Sequence, residues 1–233
     1  MSQKASSPAI YEVLTISKNG KEEVLVAKTV NFNYYESLYS PVITANMVFL
    51  DAGGSTPDDK ENLTSIKDGL PITALEDVKV KIATKFGTLD FTKDAFKVVS
   101  SPIMHQESNR QTVLLNLVNQ KEILNSEIPI FDRFVGKISD TVKKILQQKL
   151  QLSNDKIEVE TTKNSYGITG KGRGALNIIL DLCRRSVPVK GDAGYFFYQT
   201  QDGFKFKSIN SLLSQEPKQK YIYSGALRDN LEN

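Results

Sequence analysis

The sequence predicts a β-rich α+β protein in which a β-barrel is followed by a small inserted α/β segment and then by further strands. Three observations support this prediction. Between residues 10 and 118 apolar side chains alternate with polar ones, which is typical of half-buried strands. In residues 132–150 and 175–185 the apolar side chains recur at a helical spacing instead. From Gly194 onward the alternation that favours strands returns.

The barrel is predicted to form around residues 24–54, which are interpreted as two long strands joined at residues 36–41. Each strand is apolar at every second position, which places those side chains on one face. The apolar positions are Val24, Val26, Val30, Phe32 and Tyr34 in the first strand, and Ile43, Ala45, Met47 and Phe49 in the second. Pro41 cannot donate a ladder hydrogen bond, so it belongs at the bend or at the first residue of the second strand. A hairpin with so apolar a face needs a sheet or a barrel to close over it.

The other predicted elements of the barrel are separated by turn and loop signals. Asn19 and Gly20 follow a first strand at residues 10–16 and form a strong hairpin signal. The second strand of the central hairpin is expected to stop at Asp51, before two glycines. Further strands are predicted at residues 78–82, 87–99 and 111–118, with polar loops at 53–65 and 102–110 and a loose polar arm at 1–8.

After residue 118 the sequence predicts helices as well as strands. The expected order is a helical turn at 119–125, an extended piece at 128–131, a helix between 132 and 150, a strand at 156–160, a glycine-rich stretch at 167–174 and a helix at 175–185. Ser139 or Asp132 is expected to cap the first long helix, whose apolar residues include Phe134 and Val135. A hairpin of strands 195–200 and 204–209 turns at Asp202–Gly203, and a last strand is predicted at 221–223.

The overall composition excludes several classes of protein. The net charge of +3 is close to balance, which argues against a dedicated nucleic-acid binder. One cysteine, Cys183, excludes an internal disulfide and a cysteine zinc site, and one histidine, His105, makes a histidine-based metal site unexpected. No run reaches the roughly 18 apolar residues of a membrane span, and the N-terminus has no apolar signal-peptide core. We therefore expect a soluble protein from a reducing compartment, with no membrane insertion.

Residues 170–174, Gly-Lys-Gly-Arg-Gly, are the first candidate for a binding site. They precede a predicted helix, and helix N-termini attract phosphate. The stretch lacks the spacing of a P-loop and that of the dinucleotide-binding fingerprint. A flexible connecting loop explains it better.

Other candidate residues also have simpler explanations. His105, with Glu107 two positions later, could act as a general base, but a solvated loop histidine is the simpler interpretation. Cys183 lies on the apolar stripe of its helix and is predicted to be a buried small hydrophobe. The solvent-facing side of the preceding long helix is predicted to carry Lys143, Lys144 and Lys149.

The aromatic run at residues 195–198 allows two interpretations. Together with Lys205 and Lys207 it could be a base-stacking platform for single-stranded nucleic acid. The alternative, which we favour, is a strand sandwiched between two layers, because few basic residues lie nearby. Since no acid, base, nucleophile or metal-ligand spacing is recognisable, the sequence predicts no catalytic, cofactor-binding or metal-binding residue, and a binding or assembly role.

Two stretches resemble a known family. Residues 34–51, Tyr-Tyr-Glu-Ser-Leu-Tyr-Ser-Pro and the strand that follows, resemble the first-barrel signature of baseplate hub proteins from contractile-tailed, T-even-like bacteriophages. Residues 194–212 resemble a second block of that family. Between them, residues 113–125 and the helix at 139–150 match the family's order of strand, short turn, extended piece and helix. The resemblance covers most of residues 10–212.

The resemblance implies a structural protein of the virion without enzymatic activity or cofactor. It implies three domains: a first tail-tube-like β-barrel at residues 1–118, an inserted α/β segment at 119–193, and a hairpin at 194–233 that begins a second barrel. Three subunits with two barrels each would present six barrels, which would match a sixfold tail tube to a threefold spike. The printed chain ends at Asn233, before a second barrel could close, so the hub is either minimal or continues beyond this sequence.

The implied partners follow from that ring. They are two further copies of the chain, the central spike protein, the tail tube protein, the tape measure protein and the surrounding baseplate wedge proteins. DNA would pass through the axial channel as cargo. The protein would be made late in infection, assembled in the host cytoplasm and carried in the phage tail. Two alternatives from other classes are an OB-like barrel that binds single-stranded nucleic acid and a cell-wall hydrolase that uses Glu107 and His105.

Overall fold

The computed structural model describes residues 9–54, 56–57, 62–85, 87–108, 110–191 and 194–217. The predicted arm at residues 1–8 and the predicted strand at 221–223 lie outside these residues. The elements of the first half are β1 (Ile10–Lys18), β2 (Lys21–Val24), β3 (Thr29–Tyr35), β4 (Thr44–Asp51), β5 (Thr56–Pro57), β6 (Leu63–Thr64), α1 (Ile66–Gly69), β7 (Asp77–Thr84), β8 (Gly87–Asp90), β9 (Phe96–Ser100), β10 (Ile103–Glu107) and β11 (Arg110–Asn119).

Nine of these strands form one antiparallel sheet. Its order is β2-β1-β7-β9-β11-β4-β3, with β8 paired to β7 and β10 paired to β11. The turn between β1 and β2 is the predicted one, and both of its residues take the positive φ that such a turn requires, 51° at Asn19 and 81° at Gly20. The predicted strands at 10–16, 78–82 and 111–118 and the second strand of the central hairpin are confirmed, and β8 and β9 stand in place of one strand at 87–99.

The sheet curls because its two edge strands, β2 and β3, follow each other in the chain. Only Leu25 and a 3₁₀ turn at Val26–Lys28 separate them. The Leu25 N–H donates to the carbonyl of Leu14 at 2.8 Å, and the Leu25 side chain is wholly buried. The prediction of one continuous strand with Val24 and Val30 facing inward was wrong, since both are exposed. The turn shifts the inward position by one residue, from Val24 to Leu25.

The inside of the curled sheet is an apolar core. The inward row predicted for β4, which consists of Ile43, Ala45, Met47 and Phe49, is buried, and β1, β7, β9 and β11 add rows of the same kind. These residues alternate with solvent-facing ones along each strand, as expected for a barrel wall. The β-rich, barrel-type fold class is therefore confirmed.

The segment at residues 102–110 is not a loop. Residues Ile103–Glu107 form β10, which pairs antiparallel with β11 across a hairpin. All five residues of β10 are exposed, so the strand has no alternation of apolar and polar side chains to reveal it. Pairing with β11, a long-range property, is what makes this polar segment a strand.

The second half forms an α/β unit. Its elements are α2 (Gln120–Glu127), β12 (Arg133–Phe134), α3 (Ile138–Gln148), β13 (Ile157–Val159), β14 (Ile168–Thr169), α4 (Ala175–Cys183), β15 (Tyr195–Thr200), β16 (Gly203–Ser208) and α5 (Ile209–Leu213). A three-stranded sheet has the order β13-β16-β15, with β13 parallel and β15 antiparallel to β16. A second small sheet pairs β12 with β14. Helices α3 and α4 pack against the larger sheet around one apolar core.

Helix α3 begins between the two predicted starts, after Asp132 and before Ser139. Its N-cap is Lys137, not Ser139 or Asp132. The residues before it are extended because Phe134 belongs to β12, and Gly136 takes a φ of +128° that turns the chain into the helix. Val135, predicted on the apolar side, is therefore exposed, whereas Phe134 is buried.

The hairpin of β15 and β16 belongs to the core of the α/β unit in the described residues. Phe204, Phe206 and Phe197 pack with the helices, and β16 pairs with β13. The hairpin forms where the sequence predicts it, with its turn at residues 201–202, one residue earlier than predicted. A division of the chain at residues 118 and 193, and a second barrel beginning at 194, stay predictions.

Candidate assembly surfaces

The barrel and the α/β unit are joined by specific polar contacts. The backbone N–H of Ile43 donates to Oε1 of Gln199 at 3.1 Å, and the N–H of Gln201 donates to Oε1 of Glu36 at 2.8 Å. The Glu36 carboxylate also accepts a hydrogen bond from the Tyr34 hydroxyl. Burial first, and then this carboxylate, raise the pKa of Tyr34. Both connections run from the β3–β4 hairpin to the β15–β16 hairpin, so the two resemblance blocks meet in space.

The outside of the barrel has two different halves. The half formed by β1, β2, β7 and β9 carries ion pairs between neighbouring strands. These pairs are Lys79–Glu22 at 3.4 Å, Lys81–Glu12 at 2.7 Å and Lys97–Asp77 at 2.8 Å. Such charges are strongly hydrated, so this half is suited to contact with water.

The half formed by β3, β4 and β11 has a different chemistry, and we call it the uncharged face. Where the three strands pair, its outward-pointing residues are Asn31, Asn33, Tyr35, Thr44, Asn46, Val48, Leu50, Thr112, Leu114 and Asn116, and the charged Arg110 lies beyond them at the start of β11. Val48 lies directly opposite Leu114 in the ladder. Uncharged amides and aliphatic groups lose less hydration free energy on burial than charges do. The uncharged face is therefore suited to contact with another protein.

A row of amides crosses the uncharged face. Asn33 and Asn116 are the ladder partners of Asn46 on either side. Asn33 Nδ2 donates to Asn46 Oδ1 at 2.8 Å, and Asn116 Nδ2 donates to Ser100 Oγ at 2.8 Å. These hydrogen bonds between strands hold the side chains in one orientation before any partner arrives, which lowers the entropic cost of binding.

Unpaired strand edges flank the uncharged face. In the described part of the chain, β3 pairs with β4 alone and β10 pairs with β11 alone. The Met104 side chain on β10 is 61% exposed. The Val30 side chain, at the bulge in β3, is 60% exposed. Free edges with exposed apolar side chains can accept a strand from another chain.

The candidate general base lies on an open surface. His105 Nε2 is 3.3 Å from Glu107 Oε1, and their side chains are 69% and 66% exposed. Both residues lie on β10; Glu107 lines an open pocket beside Asp51 and Arg110, and His105 is not among the residues that line it. The described residues contain no group of three or more His, Cys, Asp or Glu side chains that could share a metal ion. Among the described helices, none is long and apolar enough to cross a membrane.

The glycine-rich loop at residues 170–174 is packed against the chain instead of being flexible. The Gly170 N–H donates to the Asp132 carbonyl at 3.0 Å, and the Gly172 N–H donates to the Ile130 carbonyl at 2.8 Å. A Cβ at Gly170 would lie 2.1 Å from the carbonyl oxygen of Ile130. The helix that follows has its Leu176 N–H already bound to Oδ1 of Asn125 at 2.9 Å. Close packing therefore explains the glycines, and a side chain of the protein occupies the anion position at this helix terminus.

Cys183 and two of the three helix lysines lie where the sequence predicts them. Cys183 is buried, and burial raises the pKa of its thiol to about 12. Lys143 and Lys144 are exposed on α3, while Lys149 pairs with Asp132 at 2.6 Å.

The aromatic run at 195–198 is a strand inside the α/β unit. Tyr195 stacks on Phe206 with ring centroids 4.6 Å apart, and Phe197 stacks on Phe204 at 5.8 Å. Phe196 meets Tyr39 of the barrel edge to face at 5.6 Å. Because other rings of the protein cover these faces, bases cannot stack on them.

The two lysines of the nucleic-acid hypothesis are also engaged. Lys207 and Lys205 both form ion pairs with Glu158, and the Lys205 pair measures 3.1 Å. These contacts lower the pKa of Glu158, and the hydrogen bond from Lys207 contributes most. A platform with covered rings and compensated charges does not support binding of single-stranded nucleic acid.

Comparison with known proteins places the fold among phage tail proteins. No protein-family model matches the sequence, and no curated protein matches it. A 43 kDa tail protein of prophage MuSo2 from Shewanella oneidensis matches 83% of the chain and 52% of its own length, with a TM-score of 0.50 and 11% identity.

Two other solved structures are similar at lower scores. A tail protein from Neisseria meningitidis MC58 has a TM-score of 0.46 at 9% identity, with 83% of this chain and 49% of that protein covered. The E. coli c3393 protein, described as a type VI secretion system component similar to T4 bacteriophage tail proteins, has a TM-score of 0.45 at 11% identity, with 88% and 46% covered. The chain thus spans about half the length of the structures it matches. The match to the MuSo2 protein confirms, at the level of the fold, the resemblance to phage tail proteins predicted from the sequence.

Proposed function

We propose that this protein is a structural subunit of a phage tail baseplate, without enzymatic activity. In this proposal it forms the hub ring as a homotrimer, joins the tail tube to the central spike and leaves an axial channel. The tape measure protein and later the DNA pass through that channel, and wedge proteins surround the ring. The protein would be assembled in the host cytoplasm and reside in the virion.

The uncharged face on a tail-protein fold is the observation that carries the proposal. A chain with the fold of a prophage tail protein presents a barrel half whose ten outward positions across the paired strands carry no charge, with Arg110 beyond them at the start of β11. Two unpaired strand edges lie beside that half. An assembly subunit needs such a surface, because charges buried at an interface cost several kcal/mol unless they are paired.

The mass of the protein in solution tests the proposal. We expect light scattering after gel filtration to give three times the 26.0 kDa of the chain, either alone or once the spike protein is added. Leu50→Lys places a charge on the uncharged face and should raise the dissociation constant of the assembly about tenfold or more. Val24→Lys is the matched control, since Val24 is exposed on the charged half of the barrel and should leave the mass unchanged.

Two results would contradict the proposal. One is a monomer at high concentration that binds neither the spike protein nor the tail tube protein. The other is an assembly that Val24→Lys weakens as much as Leu50→Lys does, because the uncharged face would then have no special role.

A further inference from the structure

A cavity of about 260 Å³ lies between the barrel and the α/β unit. Four separate parts of the chain line it: the loop after β8, the start of α2, the segment after α3 and the β15–β16 hairpin. Pockets of this size hold an ion or a small polar group, since drug-sized ligands need roughly 300–1,000 Å³.

Two buried amide side chains line the cavity, and each has an unused donor. Asn119 is 3% exposed and Gln199 is 6% exposed. The oxygen of Asn119 accepts from the Lys121 N–H at 2.9 Å, and the oxygen of Gln199 accepts from the Ile43 N–H at 3.1 Å. These bonds fix which end of each amide is oxygen. Neither NH₂ group donates a hydrogen bond within the described residues, and neither nitrogen is among the fully buried atoms without a partner, so a molecule in the cavity can reach both donors.

The charges around the cavity are mostly positive. Lys93, Lys121 and Lys156 line it, together with one acid, Asp94. Asp94 Oδ2 lies 4.0 Å from Lys156 Nζ, the limit of an ion pair. Lys121 has no ion-pair partner among the described residues, whereas the charge of Lys93 acts on the nearby carboxylate of Asp90. The cavity lining therefore combines two amide donors and three lysines with one carboxylate.

We propose that this cavity binds a small oxyanion, a carboxylate or a phosphate group. Such a group has several acceptor oxygens, so it can take hydrogen bonds from both amides and from a lysine at once. The bonds would be charge-assisted, and the shelter of Phe91 and Phe204 would strengthen them by excluding water. The oxyanion is either a free ion or the carboxylate of an acidic segment of a protein. In both cases it would connect Asn119 at the end of the barrel wall to Gln199 of the α/β unit.

Nuclear magnetic resonance of the side-chain amides tests this site directly. The protein labelled with ¹⁵N is titrated with inorganic phosphate and, separately, with a blocked Asp-Glu dipeptide. Sodium chloride at matched ionic strength controls for general electrostatic effects. We expect the NH₂ signals of Asn119 and Gln199 to shift together and to saturate with either or both anions, and not with chloride. Saturation with phosphate alone indicates a free ion, whereas tighter binding of the dipeptide indicates a protein carboxylate.

Two variants and one control make the result decisive. Lys121→Gln should weaken binding about tenfold, because it removes a hydrogen bond to a charged group. Gln199→Glu keeps an oxygen that can accept from the Ile43 N–H but replaces the NH₂ donor with a negative charge. Added anion should then no longer shift the NH₂ signal of Asn119. Lys143→Gln, at an exposed position on α3, should bind as the unmodified protein does.

The unchanged backbone spectrum of each variant shows that it has folded. Absence of saturation with both anions would overturn the proposal. So would equal shifts with chloride, or a Lys143→Gln variant that loses as much affinity as Lys121→Gln does.

Discussion

The backbone N–H of Ile43 and the side-chain oxygen of Gln199 form a hydrogen bond of 3.1 Å between residues 156 positions apart. Ile43 leads into β4 of the barrel and is wholly buried, and Gln199 lies in β15 of the α/β unit. Val42 and Val118, from the barrel wall, pack into the apolar core of the α/β unit beside this bond. The barrel and the α/β unit are therefore joined both by apolar packing and by a specific hydrogen bond.

Gln199→Leu should destabilise the protein by about 1–3 kcal/mol, because it leaves the buried Ile43 N–H without an acceptor. Urea unfolding followed by circular dichroism measures the free energy of unfolding. Gln148→Leu, at an exposed position on α3, is the matched control and should change stability by about 0.5 kcal/mol or less. Equal losses in the two variants would show that the contact between the halves contributes nothing.

Leu25→Ala should destabilise the barrel by about 2–5 kcal/mol, the usual cost of removing a buried leucine side chain. Leu25 closes the curled sheet between β2 and β3 and is 0% exposed, whereas its neighbour Val24 is 61% exposed. Val24→Ala should therefore have little effect. The same unfolding measurement separates the two variants. If Val24→Ala were the more harmful, the inward position predicted from the sequence would be right after all.

Local signals in the sequence predict most of the strands, but they do not predict how the sheet curls into a barrel. Asn19 and Gly20 take positive φ angles that few other residues accept, so the turn could be predicted from residue type. The 3₁₀ turn after Leu25 could not, because the period-two pattern of valines continues through it. The bend is set by the curl of the whole sheet, in which β2 and β3 occupy opposite ends.

The missed strand and the candidate cavity have the same explanation. β10 is exposed throughout and its apolar residues do not alternate with polar ones, so only its pairing with β11 defines it. The cavity joins residues from four distant segments, among them Asn119 and Gln199, and neither residue belongs to a recognisable motif. In contrast, burial of Cys183 followed from the helical spacing of its neighbours. Sequence patterns report the local periodicity of an element, and they do not report which elements meet.

Gly170→Ala should destabilise the α/β unit by about 1–3 kcal/mol, the usual cost of overpacking. A methyl group there would lie 2.1 Å from the Ile130 carbonyl oxygen, and backbone on both sides would have to move. Gly87→Ala is the matched control, since a Cβ at Gly87 has no atom within 4 Å. Thermal unfolding of both variants checks this. A Gly170→Ala protein as stable as Gly87→Ala would mean that the loop yields easily, as a flexible connection does.

Lys18→Met should be the most damaging single change, at about 3–5 kcal/mol, because it leaves a buried carboxylate unpaired. Lys18 Nζ donates to Glu76 Oε1, to the Pro71 carbonyl at 2.7 Å and to Thr73 Oγ1 at 2.8 Å. The Glu76 side chain is 0% exposed. Lys79→Met, which removes a lysine from an exposed pair at 3.4 Å, is the control and should cost less than about 1 kcal/mol. Equal costs for the two lysines would refute the special role of the buried pair.

Acid should weaken the fold through the same Glu76. Burial alone raises the pKa of this carboxyl, but the hydrogen bonds from Lys18 and from the Thr73 N–H outweigh burial, so the pKa is lowered. Because the folded pKa lies below the unfolded value of about 4.3, the unfolded state binds the proton first as the pH falls. The stabilisation is therefore present in full above about pH 4.3 and is lost as the pH falls through the folded pKa.

Glu76→Gln removes this titration, so its stability should fall less steeply than that of the unmodified protein between about pH 5 and the acid limit of the fold. Urea midpoints at a series of pH values measure the two slopes, and Glu127→Gln, at an exposed position on α2, controls for the loss of a carboxylate. Parallel curves for Glu76→Gln and the unmodified protein would mean that Glu76 takes up its proton equally readily in both states. The pair with Lys18 would then contribute nothing to the pH dependence of stability.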